Sequence, residues 1–240
     1  SQLEAKAVVI ADGSDSPWPK ALGLGPRVLH HAATTSVRLE GRGLLKEGTA
    51  KFEFGLVHHG FAWAFPISGG INVGVGTFIG QNATDSETIL AKLLPSLGFA
   101  PKAGMHQQSR LRVWNGHHSL NGEGVLVIGD AASLCDPFLA EGLRPALMSG
   151  FESARCLNNW LQGDSQDLSN YTETMKVRWG NSMAWGRRIA QVFYRFPNVG
   201  YQLGVKRPTA PKRIAQILSG EMGYGDIAQR VIKRLLFQEQ

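Results

Sequence analysis

Two short acidic turns close two apolar runs. Ala7–Ala11 (AVVIA) stops at Asp12-Gly13, and Val125–Ile128 (VLVI) stops at Gly129-Asp130. An apolar run without alternation reads as a strand buried on both faces, as in a parallel sheet. In open α/β sheets ligands bind outside the carboxyl ends of the strands. An Asp at that place can accept hydrogen bonds from sugar or polyol hydroxyls. Asp136-Pro137 follows in the next loop, and a helix is entered by Glu141-Gly142-Leu143. Its start points free backbone N–H groups and the positive end of its dipole at the same space. Gly142 there lets a ligand ring come close. Gly-Asp alone is a weak signal; the strand, the Gly-Asp, the Asp136-Pro137 and the Glu-Gly together make a more specific set.

A second group is aromatic. Phe61, Trp63 and Phe65 recur at period two and lead into Pro66. After a break at Ser68-Gly69-Gly70, Ile71, Val73 and Val75 recur at period two. This is the pattern of antiparallel strands joined by a hairpin turn. Alternation puts the three rings on one face, and Gly74 and Gly76 on the face of the partner strand opposite to Val73 and Val75. An aromatic wall beside bare glycine backbone leaves an elongated apolar groove. An ordinary aromatic core with a tight strand crossing has the same pattern. Gly74-x-Gly76 is not a dinucleotide loop, because the next glycine is Gly80 and no helix pattern begins there. The pairs His30-His31, His58-His59 and His117-His118 invite a metal reading. Adjacent strand residues point to opposite faces, so such a pair does not readily chelate one ion, and no metal is assigned. Cys135, in the loop after Asp130, is read as a small packing residue, and Cys156 as structural.

The elements that position these groups alternate in type. The chain has 240 residues and 26.1 kDa, with 43% apolar and 18% charged side chains. That supports a sizeable core and excludes a disordered chain. Two cysteines exclude a disulfide scaffold and suit a reducing compartment. No run approaches the length that spans a bilayer. Phe52 and Phe54 alternate with Lys51 and Glu53. Asp85 or Ser86 caps a short helix carrying Ile89, Leu90, Leu93 and Leu94, which Pro95 ends. A helix runs from about Gly142 to Leu161, with Leu143, Leu147, Phe151, Ala154 and Leu161 as its stripe and Pro145 in its first turn. The stretch from Tyr171 to Phe237 reads as mainly helical. The segments are therefore 1–26 and 111–162 (one sheet-forming region), 27–110 (an antiparallel insert) and 163–240 (a helical tail). The formal charge is +6. Twelve basic and three acidic residues from Lys176 to Gln240 make that stretch +9, leaving −3 for the first 175 residues. A solvated face accounts for most of this excess. No recognition module accompanies it, so nucleic acid is not expected. The helix from Asp226 to Phe237 places Ile227, Val231, Leu235 and Ile232 apart from Arg230, Lys233 and Arg234. That pattern suits lipid headgroups, or equally a helix packed on its own domain.

Val125 to Ala154 closely resembles the second FAD-binding motif of the flavoprotein superfamily that includes aromatic hydroxylases and geranylgeranyl reductases. Ala7 to Leu24 resembles that superfamily's Asp-Gly motif. Phe61 to Gly76 (FAWAFPISGGINVGVG) is similar to the aromatic-x-Trp-x-Phe-Pro…Gly-x-Gly motif of geranylgeranyl reductases, and Gly220 with Tyr224-Gly225-Asp226 to their C-terminal region. The resemblance covers nearly the whole chain. Two departures are Phe61, where the family usually has Tyr, and Pro145, where it has an ordinary helix residue.

The resemblance implies an α/β flavoprotein: a partial FAD-binding parallel-sheet domain, an inserted antiparallel substrate domain and a C-terminal helical region. It also implies that the Gly-rich nucleotide loop lies in an N-terminal part outside this sequence, so these residues alone hold FAD poorly. The implied reaction passes a hydride from reduced flavin to an isoprenoid double bond, with NADPH or another reductant as electron donor. Asp130 would hold ribityl hydroxyls next to Gly129. Asp12 and Gly13 would lie near the diphosphate, with Pro137 in the neighbouring loop. The N–H groups of Gly142 and Leu143 would face flavin O2, which gains negative charge on reduction. Phe61, Trp63, Phe65, Pro66, Gly74 and Gly76 would shape a prenyl cavity, and no proton donor is assigned. The implied partner is a prenylated small molecule or lipid, with a cytoplasmic location and peripheral membrane contact through the basic tail. A flavin monooxygenase of the same fold and a non-catalytic lipid- or partner-binding protein are the alternatives.

Overall fold

The computed structural model describes residues 4–78 and 85–237; Gly80 lies outside them. The first apolar run forms β1 (Val8–Ile10), and one turn of helix, α1 (Trp18–Ala21), follows it. Next come β2 (His30–Glu40), β3 (Lys51–Phe54), β4 (Gly60–Ile67), β5 (Gly70–Thr77), α2 (Ser86–Ser96) and β6 (Gln107–Val113). The short strands β7 (Asn121–Gly122) and β8 (Val125–Val127) lead into α3 (Leu143–Gln162). The rest is helical, as expected: α4 (Ser169–Met175), α5 (Asn181–Arg195), α6 (Pro197–Gly200), α7 (Ala210–Ser219) and α8 (Tyr224–Phe237), with π-helical turns at Lys176–Gly180 and Tyr201–Val205. Among the described residues no helix is long and apolar enough to cross a membrane. The chain divides into two units, residues 1–30 with 111–240, and residues 31–110.

The first unit holds a three-stranded sheet in the order β1-β8-β7. β1 and β8 run parallel, with Val8 opposite Val125 and Ile10 opposite Val127. Burial on both faces holds for β8, where Leu126 and Val127 are fully buried. It does not hold for β1, where Val8 is 51% and Val9 38% exposed. β1 is an edge strand: β8 covers one side, and no described strand pairs with the other. The helix α3 starts and ends close to its expected limits, and Pro145 sits in the first turn, where no backbone N–H is required. Its apolar stripe does not face this unit's core. Leu143, Leu147, Phe151 and Leu161 are exposed, whereas Ser149, Glu152, Ser153 and Cys156 are buried. The buried side is polar because each group there has a partner. Ser149 Oγ accepts the Gly129 N–H at 3.0 Å, and the Glu152 carboxylate pairs with Arg155 (3.0 Å) and with Arg178 in the first π-helical turn. A buried carboxylate needs such pairing to persist.

The second unit is an antiparallel sheet in the order β3-β4-β5-β2-β6. β4 and β5 pair from Gly60–Thr77 to Ile67–Gly70 around the two-residue turn Ser68-Gly69, and Gly69 takes a positive φ of 74°. Period-two alternation gives this sheet two faces. One buries Val37, Leu39, Ala62, Ala64, Ile71, Val73 and Val75 against Leu90, Leu93, Leu94 and Leu97 of α2 and its C-cap. The capping expectation for α2 is corrected: Asp85 precedes the helix without a side-chain bond, and the Ser86 hydroxyl shares a buried 2.7 Å hydrogen bond with Thr35 of β2. Pro95 lies just inside the helix, which ends one residue later.

Candidate functional site

The two acidic turns lie side by side. Because β1 and β8 are adjacent and parallel, Asp12-Gly13 and Gly129-Asp130 leave the same end of the sheet. The Ile128 N–H donates to the Ile10 carbonyl at 3.0 Å, immediately before both turns. Gly13 (φ 84°) and Gly129 (φ 57°) take left-handed conformations that turn the chain out of each strand. Gly129 also lies against α3, where an added Cβ would meet the Ala146 Cβ at 3.4 Å. The Asp12 side chain is exposed.

Asp130 is partly buried and faces the start of α3. A Cβ on Gly142 would stand 3.2 Å from Asp130 Oδ1, so only glycine leaves the carboxylate its present space. The first turn of α3 has few competing uses for its donors. Arg144 N–H is taken by Glu141 Oε1 at 2.6 Å, and Pro145 has none, so the Gly142 and Leu143 amides are the ones available beside Asp130. Burial pushes the Asp130 carboxyl up to about 6; the Arg112 guanidinium opposes this, and Glu141 adds to it. The group is therefore an acceptor near neutral pH and gains from any hydroxyl donor that approaches it.

The loop between Asp130 and α3 is held from inside. Asp136 is buried and accepts N–H groups of Phe138 (2.7 Å) and Leu139 (2.9 Å) and the Tyr224 hydroxyl at 2.7 Å. Burial raises its pKa, while those bonds oppose the rise. Pro137 is buried within this loop, and Ala140 turns it with a φ of 52°. Cys135 is fully buried; burial pushes its thiol well up, and the neighbouring carboxylates of Asp130, Asp136 and Glu141 act in the same direction. Such a thiol packs rather than reacts.

Arg112 was not anticipated from the sequence. It sits at the end of β6, buried, and donates to the Ser16 carbonyl after the first acidic turn and to the Ala131 carbonyl beside the second, the latter at 3.4 Å. One guanidinium thus ties both turns together and lowers the carboxyl of Asp130. The local pattern Arg110-x-Arg112 gives no sign of this, because the partners are about 20 and 100 residues away along the chain. A cavity of about 210 Å³ also opens in this unit, lined among others by Trp114, His117, His118, Leu134, Met175 and Lys176; none of the residues expected to hold a cofactor lines it.

In the second unit the rings do share a face. Phe52 lies 4.9 Å from Phe65 and 5.5 Å from Phe61, and Trp63 lies 6.1 Å from both Phe61 and Phe65. The register sets Phe61 opposite Gly76 and Trp63 opposite Gly74. The expected open groove beside the glycines is corrected. A Cβ on Gly74 would come within 2.2 Å of Trp63 Cζ2, and one on Gly76 within 2.7 Å of the Phe78 ring. The indole covers the bare backbone, and its Nε1 donates to Asn72 Oδ1 at 2.7 Å. Rings fill the space because a glycine cannot cover its own backbone. Phe61 is buried, Trp63 and Phe65 are half-buried and Pro66 is exposed, so the outer side of the ring layer is what a ligand could reach.

No family model matches the chain. Menaquinone reductase of Mycobacterium tuberculosis is 26% identical over 224 residues, which cover 83% of this chain and 52% of that protein. Digeranylgeranylglycerophospholipid reductase 1 of Methanopyrus kandleri is 24% identical over 205 residues, 80% of this chain and 54% of that protein. A geranylgeranyl bacteriochlorophyll reductase-like structure from Thermoplasma acidophilum superposes with a TM-score of 0.70 at 21% identity, over 79% of this chain and 51% of that one. The chain is thus similar, at low identity, to curated proteins named reductases, and it shares the fold of that structure. A triple mutant of the flavin-dependent brominase Bmp2 also superposes, with a TM-score of 0.69 at 16% identity, over 98% of this chain and 64% of that one. The chain spans about half the length of the curated relatives it matches.

Proposed function

We propose that this chain is part of an FAD-dependent oxidoreductase that reduces isoprenoid double bonds. The observation that carries the reading is the pair of acidic turns at one end of β1 and β8, with the start of α3 beside Asp130. These residues fit a flavin nucleotide: a partly buried carboxylate for polyol hydroxyls, two first-turn amides for an electron-rich ring edge, and a glycine where a side chain would obstruct. Asp130 would hold the ribityl hydroxyls, and Asp12 and Gly13 would lie near the diphosphate. Gly142 and Leu143 would direct their N–H groups at flavin O2, beside the turn formed by Gly129 and the loop containing Pro137. When bound, FAD supplies the hydride chemistry that no side chain provides. The chain's own contribution is to orient that group, keep water from its buried edge and offer fixed donors where negative charge grows.

A prenyl chain would lie on the outer side of the ring layer of Phe61, Trp63, Phe65 and Pro66, which Gly74 and Gly76 support from behind. The name of the Methanopyrus relative supports a prenylated lipid as substrate. NADPH or another reductant would supply electrons. The test uses full-length protein. It should carry flavin absorbance and, under reductant without oxygen, add one H2 to each double bond of a geranylgeranyl compound, read by mass. Absence of flavin, or hydroxylation that requires oxygen, overturns the reading.

A further inference from the structure

The last third of the chain presents a helix face that the flavin reading does not use. From residue 181 to residue 220 there are seven Arg and Lys side chains and no Asp or Glu. Within this stretch α5 is two-sided. Met183, Gly186, Ala190 and Tyr194 are buried, at spacings of three and four that place them on one side. Trp185, Arg188, Val192 and Arg195 follow the same spacing on the opposite side, and Phe196 and Val199 continue the row into α6. All six are exposed: Val192 58%, Phe196 53%, Val199 50%. Each arginine lies over a ring of the same row, Arg188 at 4.9 Å from the centre of Trp185 and Arg195 at 6.0 Å from that of Phe196.

We propose that this row of α5 and α6 is a docking surface for an anionic lipid bilayer. The chemistry argues for lipid over other occupants. Aromatic rings and guanidinium groups that share one stripe match the depth at which a bilayer changes from charged headgroup to hydrocarbon. Basic side chains near an anionic leaflet are attracted to it, and the stretch has no carboxylate to oppose that attraction. A second copy meeting the first through this same face would bring cations onto cations. Phosphate backbones of nucleic acid would give Val192 and Val199 nothing to bury against. The expectation drawn from sequence placed lipid contact on α8. Its Ile232 is exposed, but its Ala228 is buried and α8 packs on α5. The surface therefore moves to the free side of α5.

The test is co-sedimentation of the full-length protein with vesicles. Vesicles of phosphatidylcholine containing a third of phosphatidylglycerol should bind it, pure phosphatidylcholine vesicles should bind it much less, and high salt should weaken binding. Arg188→Gln with Arg195→Gln should lower partitioning roughly tenfold or more. Val192→Ser with Phe196→Ser should also lower it, with thermal unfolding unchanged because these side chains are exposed. The charge-matched control, Lys92→Gln with Lys102→Gln, should bind as the wild type does. No preference for the anionic vesicles, or binding indifferent to both variant pairs, overturns the proposal. So does a dimer in light scattering, or RNA binding without vesicle binding, that the same variants abolish. Vesicle binding is read independently of flavin content, so its failure is distinct from failure of the oxidoreductase reading.

Discussion

At the scale of residues, the chemistry centres on a carboxylate placed where it is uncomfortable. Asp130 titrates near 6 in the folded chain against an ordinary 3.8, because burial penalises its charged form. The stability tied to its protonated form is complete below the ordinary value and is lost as pH rises through about 6. Asp130→Asn should remove that loss, raising the unfolding free energy by about 1 kcal/mol near pH 8, after allowance for its partial solvation, and by nothing near pH 3. Denaturant titrations at the two pH values measure this. The same variant should release flavin from the full-length protein. In the wild type, hydroxyl donors of a bound ligand favour the carboxylate, so flavin affinity should be constant above about pH 7 and fall as pH drops through about 6; fluorescence titration across that range follows it. Arg112 acts on the same group from the other side. Arg112→Gln should move the Asp130 titration above 6, seen by carbon NMR of the carboxyl, and cost about 2–3 kcal/mol by leaving the Ser16 and Ala131 carbonyls short of a donor. An unshifted titration would mean that Arg112 holds the turns together without tuning the acid.

At the scale of elements, two contacts decide how parts are held. Tyr224 opens α8, and its hydroxyl reaches the buried Asp136 in the loop before α3. Gly186 of α5 makes room for its ring, since a Cβ there would stand 2.7 Å from Tyr224 Cδ2. Tyr224→Phe should cost about 1–3 kcal/mol and raise the Asp136 pKa further, because the carboxylate loses a donor. Urea unfolding measures the first effect. In the antiparallel sheet, Gly74→Ala should push the Trp63 indole off its strand and break its bond to Asn72, at about 1–3 kcal/mol. A red shift of tryptophan emission should accompany the loss. The strands β1, β3, β4, β5 and β8, the hairpin at Ser68-Gly69 and the length of α3 were legible from periodicity and turn residues, whereas β2, β6 and β7 carry no such pattern. Which way the α3 stripe faces was not: Leu143, Leu147 and Phe151 make a regular apolar row, yet Ser149 and Glu152 are the side chains that turn inward. Periodicity reports that a helix has two sides; partners such as Gly129 and Arg178, distant in sequence, decide which side is covered.

At the scale of the whole molecule, the exposed row on α3 and the exposed Val8 and Val9 of β1 leave apolar surface in contact with water. Surface of this kind promotes association. Leu147→Glu with Phe151→Glu should slow aggregation of the 240-residue chain in light scattering while changing its unfolding free energy by less than about 0.5 kcal/mol, as substitutions at exposed sites do. The amino-acid sequence by itself determined the local devices: an acidic turn after each apolar run, a glycine at the start of a helix, alternating rings, and a basic stretch from Lys176 onward. These follow from backbone preferences and side-chain spacing that act over a few residues. Only the tertiary structure decided that the two turns share one end of a sheet, that Arg112 joins them, that the indole of Trp63 occupies the glycine space, and that Arg188 and Arg195 of α5 stand in one row with exposed rings. Each depends on which distant segments pack together, and that choice is made by burial and pairing across the fold, which no short window of sequence contains.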